Sequence, residues 1–471
     1  MSQTIPGRGL PMEIVEGIID NAPDGPTFLA CSLVCREWLY RCRFYLFQRF
    51  SFAAGDANDV LPHLADVDYD KKTRRWRKRN ARRGSGDTVK PGLLPAGRFI
   101  QSLVITETSP AHLMTSREQW ETIRLLIAAM PNVREVQLVG VTEWALERYL
   151  DGVLGRWPVH VFSRPVGDEG ILDGEESSSD TDDLTEQVQT PRVPLEGLTL
   201  RHVRTGDWSS VSQRIAACSD TLRSLRINSL RFSETKAKVE QAQDNLQVLE
   251  NLPASLKRST QIVKEDEAIK FGCLERLAIE GEIPGHVFGE QLLKEILETP
   301  SASLQKLTVV ELAPGLLPKA KQLFTAAKST IKTLIIHCDS FTGVPFNDTS
   351  RTYSFEMDLS PLIRLTELHV VGIRAHSGYG ASAVGILYAL IKGLSKFPYS
   401  TIRKLHILFT STLSYSPYGE DQWRLFDEVL AMPHIAARLE DVELVGAMSF
   451  AGKMHRYMPK TRERRLLRLL A

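Results

Sequence analysis

Chemistry in this chain of 471 residues would have to come from a few small groupings. Cys31 and Cys35 stand four apart in an apolar helical pattern, a spacing that presents two thiolates to a metal ion. No further Cys or His cluster completes a four-ligand set, and small thiols also serve as helix-packing residues. Gly378-Tyr379-Gly380-Ala381-Ser382-Ala383 follows an expected strand and precedes an expected helix. It is a loose version of the glycine-rich turn that lets backbone N–H groups approach a dinucleotide pyrophosphate. Six residues separate it from the strand, however, and the next strand ends Leu408-Phe409-Thr410, without a carboxylate to hold a ribose. These glycines are read first as turn-formers, and nucleotide-binding enzyme chemistry at the Gly378–Gly380 loop is kept as an alternative. No P-loop, nucleophile elbow or HExxH helix occurs. The expectation is a non-catalytic protein with no catalytic residues, no cofactor and no metal. A third grouping is basic: Arg201, Arg226, Arg276, Lys306, His369, Lys404 and His406 lie beside aliphatic residues in short strand patterns, with Glu367 and Glu443 among them. Guanidinium groups grip carboxylate or phosphate bidentately, so this set suits an acidic or phosphorylated protein segment. A solvated sheet face without a ligand fits the same residues equally well.

The elements that must carry these side chains repeat. The pattern aliphatic-x-x-aliphatic-x-aliphatic occurs at Ile100-Leu103-Ile105, Val133-Val136-Leu138, Leu195-Leu198-Leu200, Leu222-Leu225-Ile227 and Leu274-Leu277-Ile279. It continues at Leu304-Leu307-Val309, Ile331-Leu334-Ile336, Leu365-Leu368-Val370, Ile402-Leu405-Ile407 and Leu439-Val442-Leu444. Seven of the nine intervals fall between 27 and 37 residues, long enough for one short strand, a turn and a helix. Helical periodicity fills the gaps, as in residues 117–129, 319–327, 383–394 and 422–431. Ala129-Met130-Pro131 before Val133 is echoed by Ala431-Met432-Pro433 before Leu439, and Val139-Gly140 by Val445-Gly446. Alternating strands and helices predict right-handed crossovers and a parallel sheet. The pattern resembles a leucine-rich repeat, which implies an α/β solenoid with parallel strands and outer helices, and residues between the aliphatic anchors on the inner face. The departure lies three residues past the last aliphatic, where that family places Asn or Cys. Here the position falls on Thr108, Val141, Val203, Leu230, Glu282, Leu312, Asp339, Ile373, Thr410 and Ala447. With no polar ladder at the turn, an irregular arc is expected. A non-repeating, doubly wound α/β domain is the competing architecture.

Ahead of the repeats, Leu10-Pro11-Met12-Glu13-Ile14-Val15-Glu16-Gly17-Ile18-Ile19 reads as a helix with Pro in its first turn. Asn21-Ala22-Pro23-Asp24-Gly25-Pro26 stops it, and a second helical run extends from about Thr27 through Leu33-Val34-Cys35-Arg36-Glu37-Trp38 to Phe47. About forty residues bury too little surface to be stable alone. The Leu-Pro-x-Glu-Ile start, the Leu-Val-Cys-Arg-x-Trp centre and the Leu-Phe end resemble an F-box. The resemblance covers roughly a tenth of the chain. It implies a three-helix module that binds the adaptor of a Skp–cullin–F-box type ubiquitin ligase, with Leu10, Pro11, Ile14, Leu33, Val34 and Trp38 facing the adaptor. The remaining chain would then recognise an unknown target protein. The loop Ala22–Pro26, with two prolines, departs from the usual connection. An ordinary helical cap on the next domain, or a repeat scaffold without ligase links, accounts for the same residues less fully.

Composition sets the limits. A net charge of +1 with 43% apolar residues argues against a wholly basic nucleic-acid binder. Six cysteines without a CxxC pair suit a reducing compartment, cytoplasmic or nuclear. No secretory signal or membrane-length apolar run appears, so no membrane partner is expected. The run Lys71–Arg83 holds nine basic residues and reads as an exposed linker or an import signal; nucleic-acid binding through Trp76 ranks behind both. Residues 168–186 hold nine acidic residues around Ser177-Ser178-Ser179-Asp180-Thr181 and read as a disordered, phosphorylatable insertion. The expected organisation is a tail at 1–9, an F-box at 10–50, a basic linker at 51–95, repeats at 96–447 with an acidic insertion at 165–192, and a basic helix or tail at 448–471.

Overall fold

The computed structural model describes residues 12–21, 25–34, 36–64, 67–70, 75–78, 96–107, 117–154, 193–205, 208–232, 271–280, 288–298, 304–338, 357–373, 380–397, 400–409, 420–446 and 451–470. The chain divides into two compact units, Met1–Leu195 and Glu196–Ala471. Both are α/β.

The first unit opens with three short helices, α1 (Met12–Asp20), α2 (Gly25–Ser32) and α3 (Arg36–Phe47). The single run expected from Thr27 to Phe47 is therefore interrupted, at Leu33 and Val34. Their N–H groups still bond back to the carbonyls of Ala30 and Cys31, closing the helix in tight turns. Strand β1 (Arg49–Ala53) follows. A hairpin of β2 (Val67–Asp70) and β3 (Arg75–Lys78) comes next, then β4 (Ser102–Thr106) and β5 (Glu135–Val139). The register sets Asp68 opposite Arg77 and Asp70 opposite Arg75. Strands β1, β4 and β5 are parallel neighbours in that order. Helices Ala57–Leu64, Arg117–Ala128 and Glu143–Val153 complete the unit. Thr122 donates to Asn58 Oδ1 at 2.7 Å, and Trp120 meets Tyr149 at 5.2 Å. The stretch 51–95 is thus not simply a linker: β1, the helix at 57–64 and the β2–β3 hairpin all lie in or overlap it. Alternating apolar residues in Phe50-Ser51-Phe52 carry the signal for β1, without the triplet spacing of the later strands.

Among its described residues the second unit has nine parallel strands in one sheet: β6 (Gly197–Arg201), β8 (Ser224–Asn228), β10 (Arg276–Glu280), β11 (Val309–Leu312), β12 (Thr333–His337), β13 (Glu367–Ile373), β14 (Lys404–Phe409), β15 (Asp441–Val445) and β16 (Leu467–Leu470). Two-residue strands β7 (Arg204–Thr205) and β9 (Arg231–Phe232) pair beside them. The order of these nine strands in the sheet follows their order in the chain, without reversal. A doubly wound sheet would reverse and create a crevice at the switch point; none of the described strands of this unit forms one.

The repeated triplets are the core. Nine of the ten are buried throughout, including Leu225 and Ile227, Leu334 and Ile336, and Leu405 and Ile407. The exception is Leu304-Leu307-Val309. In β11 the buried pair is Val310 and Leu312, which lie opposite Leu277 and Ile279 of β10. The repeat there is Leu307-Val310-Leu312, three residues later than the sequence pattern suggested. The segment 448–471 is also more than a tail. Helices Ala451–Tyr457 and Pro459–Glu463 lead to β16, which pairs in parallel with β15. Asp427, itself buried, anchors this last turn by accepting from the N–H groups of Lys460 and Thr461 at 2.9 and 2.8 Å.

The turn position that lacks Asn is filled by core. Val141, Val203, Leu230 and Ile373 are all buried there; Leu312 is buried as the last anchor of the displaced triplet, and Thr108, Glu282, Asp339, Thr410 and Ala447 lie outside the described residues. Backbone groups do the work of the absent polar side chains. The N–H of Glu107 bonds to Val139 O, that of His202 to Asn228 O, and that of Gly446 to Leu470 O, at 2.9 to 3.0 Å. The chain then turns through left-handed residues, with φ of 73° at Gly140, 54° at His202, 61° at Ser229 and 76° at Gly446. At Gly140 and Gly446 only glycine fits without a shift, because a Cβ would stand 2.9 Å from Glu107 O and 2.6 Å from Phe409 O.

Candidate functional site

Among the described residues of the helical trio Ile19 and Cys42 are fully buried, with Phe28, Cys31, Trp38, Tyr45 and Leu46 packed around them. An ion pair ties α1 to α3: Arg41 donates to both oxygens of Asp20 at 2.9 and 2.7 Å, and the Tyr45 hydroxyl donates to Oδ1 at 2.7 Å. The hydrogen bonds from Arg41 and Tyr45 hold the Asp20 carboxyl below the usual carboxylate range. Tyr45 also stacks on Phe28 at 5.0 Å, which brings α2 against α3.

Outside this small core the trio presents apolar side chains to solvent. Ile14 and Ile18 of α1, Leu29 of α2, and Leu33 and Val34 of the α2–α3 turn are all exposed, Leu33 by 82%. These are five of the nine large hydrophobics exposed by more than a third of their surface among the described residues. Large exposed apolar side chains gathered on one small module are of the kind a binding partner can cover. Of the residues expected to face an adaptor, Ile14, Leu33 and Val34 lie in this group. Trp38 is half-buried against the Ile19–Cys42 core. Leu10 and Pro11 lie outside the described residues. Ile18 and Leu29 are exposed beside them, each four residues from Ile14 or Leu33.

The second candidate surface is the polar face of the strands in the second unit. Its organising group is Glu311, 1% exposed at the centre of β11. Arg276 Nε donates to Oε1 at 2.8 Å, Arg226 Nη2 to Oε2 at 2.6 Å, and His337 Nε2 lies 2.9 Å from Oε2. Glu280 joins from β10, accepting from Asn228 Nδ2 at 2.9 Å and lying 3.2 Å from Arg226 Nε. Burial alone would raise the Glu311 carboxyl. The His337 hydrogen bond and the charges of Arg226 and Arg276 overcome that, holding its pKa at about 2. Farther along the face, His369 and His406 meet with their Nδ1 atoms 3.2 Å apart, and Lys404 Nζ lies 3.5 Å from Glu367. Burial and the neighbouring His369 ring lower the pKa of His406.

Six of the seven residues expected to bind a target lie on this face: Arg201, Arg226, Arg276, His369, Lys404 and His406. Lys306 does not. It precedes β11, exposed in the turn, 3.6 Å from Cys273 Sγ. The face is also not basic. Against the cations Arg201, Arg226, Arg276, Lys404 and Arg468 stand the carboxylates Glu280, Glu311, Glu367, Asp441 and Glu443. Glu311 was missed because the triplet displaced by three residues hid its place in the strand.

Gly378 and Tyr379 lie outside the described residues, and Gly380 opens the helix Gly380–Ser395. Cys35 likewise lies outside them. So do residues 71–74 and 79–83 of the basic run and the whole of 165–192. Among the described residues no helix is long and apolar enough to cross a membrane. No protein-family model matches this chain, and no curated protein is similar to it.

Proposed function

We propose that this chain is the substrate-receptor subunit of a Skp–cullin–F-box type ubiquitin ligase, acting in the cytoplasm or nucleus. The three N-terminal helices would bind the ligase adaptor, and the stranded second unit, a leucine-rich-repeat-like array, would hold the target protein. The observation that carries this reading is the exposed apolar group Ile14, Ile18, Leu29, Leu33 and Val34 on a helical trio whose described core is centred on Ile19 and Cys42 alone. A structural cap would bury that stripe. A docking module leaves it for a partner, where burying each large aliphatic side chain contributes roughly 1.5–3 kcal/mol. The successive strand–turn–helix units support the repeat reading, and the charge-balanced strand face favours a target recognised by paired polar contacts over one drawn by bulk charge. The receptor itself makes or breaks no bond; it supplies proximity to a partner's chemistry.

The test is co-expression of the full chain with a cullin-ligase adaptor and recovery of the complex by pull-down. Leu33→Asp/Val34→Asp alters only exposed positions, and Pro11→Ala/Trp38→Ala alters the motif. Recovery with the wild type and its loss in the Leu33/Val34 variant is the expected result. A folded wild-type chain that recovers no adaptor would overturn the reading.

A further inference from the structure

We infer that the paired imidazoles of His369 and His406, on neighbouring strands of the polar face, form a binding site for a zinc-class divalent transition-metal ion. The register sets His369 directly opposite His406. Their Nδ1 atoms lie 3.2 Å apart with the rings at 76°. Two nitrogens bound at about 2.0–2.1 Å to a tetrahedral zinc ion stand roughly 3.3 Å from one another, so the sheet already holds the pair at the bite of such an ion.

Without an ion, the close contact requires one ring to carry the Nδ1 proton and the other to offer its lone pair. Glu367 Oε2 lies 3.5 Å from His369 Nε2, and a carboxylate beside that nitrogen favours the tautomer with the proton there and the Nδ1 lone pair free. His406 joins as a second donor by moving its proton from Nδ1 to Nε2.

The charges facing the pair favour a cation. Glu367, Asp441 and Glu443 are acidic, while Lys404 pairs with Glu367 at 3.5 Å and Arg468 with Asp441 and Glu443 at 3.2 and 3.6 Å. The balance is one negative charge. The contrast is the trio Glu280, Glu311 and His337, whose ligand atoms also lie within 4.8 Å of one another. Both oxygens of Glu311 are already bonded there, and two guanidinium groups would face the ion. At the histidine pair two tetrahedral positions remain for water or for a donor from a bound molecule.

The full chain would be titrated calorimetrically with Zn²⁺ and, as a hard-cation comparison, Mg²⁺. His369→Asn and His406→Asn would be run beside His63→Asn, an exposed histidine of the first unit. Expected are one zinc ion lost from either site variant by roughly tenfold or more in affinity, no change in His63→Asn, and no response to Mg²⁺. X-ray absorption at the zinc edge on the wild type should show two imidazole ligands. No zinc binding, wild-type affinity in both site variants, or a spectrum with sulfur or only oxygen ligands would each overturn the assignment.

Discussion

Replacing Glu311 with Gln removes the one carboxylate on which Arg226, Arg276 and His337 converge. Its pKa, about 2 against an ordinary 4.5, implies stabilisation by the ionised form of up to roughly 3 kcal/mol, at about 1.4 kcal/mol per unit. The two guanidinium groups are 38% and 49% exposed and regain water when the carboxylate is gone. Arg226 also keeps Glu280 at 3.2 Å. The expected loss at pH 7 is therefore nearer ~2 kcal/mol, below the 3–5 kcal/mol of a fully buried pair that loses one partner. The sign with pH follows from the lowered folded-state value. The contribution is complete above the unfolded pKa near 4.5 and disappears as pH falls toward 2. Hydrogen exchange is the suitable assay, because it reads the opening of β10, β11 and β12 separately from the rest of a chain with two units. Faster exchange of the Val310 and Ile336 amides in Glu311→Gln at pH 7, with the difference closing in acid, is expected. Equal protection at pH 7, or a difference that persists below pH 2, would refute the assignment of Glu311 as the ionised centre of this network.

At the helical trio, Leu33→Ala should weaken adaptor binding roughly tenfold or more, the worth of one buried aliphatic side chain, and leave the thermal melt unchanged; surface plasmon resonance and calorimetry would read the two. Gly446→Ala places a Cβ 2.6 Å from Phe409 O at φ 76° and should cost about 1–3 kcal/mol, visible as a lowered melting temperature. Asp427→Ala removes the acceptor for Lys460 N, Thr461 N and the Thr461 hydroxyl. It should cost about 2 kcal/mol and free the β16 segment, so that limited proteolysis cuts after Gly446 in the variant before it does in the wild type.

Spacing along one strand was enough to determine which side chains are buried. Leu225 with Ile227 and Leu405 with Ile407 must share a face because side chains alternate along a strand, and that face is the core. The parallel arrangement was legible for the same reason: strands separated by helix-length segments need crossovers. The Pro-containing start and apolar spacing of residues 10–47 marked helices with a surface to cover. Interaction between strands was not legible. Whether a polar residue meets friend or like charge depends on which residue of the next strand lies opposite, and a three-residue displacement in β11 exchanged Glu311 for Lys306 on the polar face. That exchange, with Glu280 and Asp441 on the same face, leaves an apparently basic surface neutral. The same holds for His369 and His406, 37 residues apart in the chain. Composition could name two imidazoles, but only the sheet register sets their nitrogens 3.2 Å from one another. Strand β16 completes the contrast. Leu467–Leu470 is too short to announce itself, and becomes a strand because β15 offers an unpaired row of backbone groups beside it.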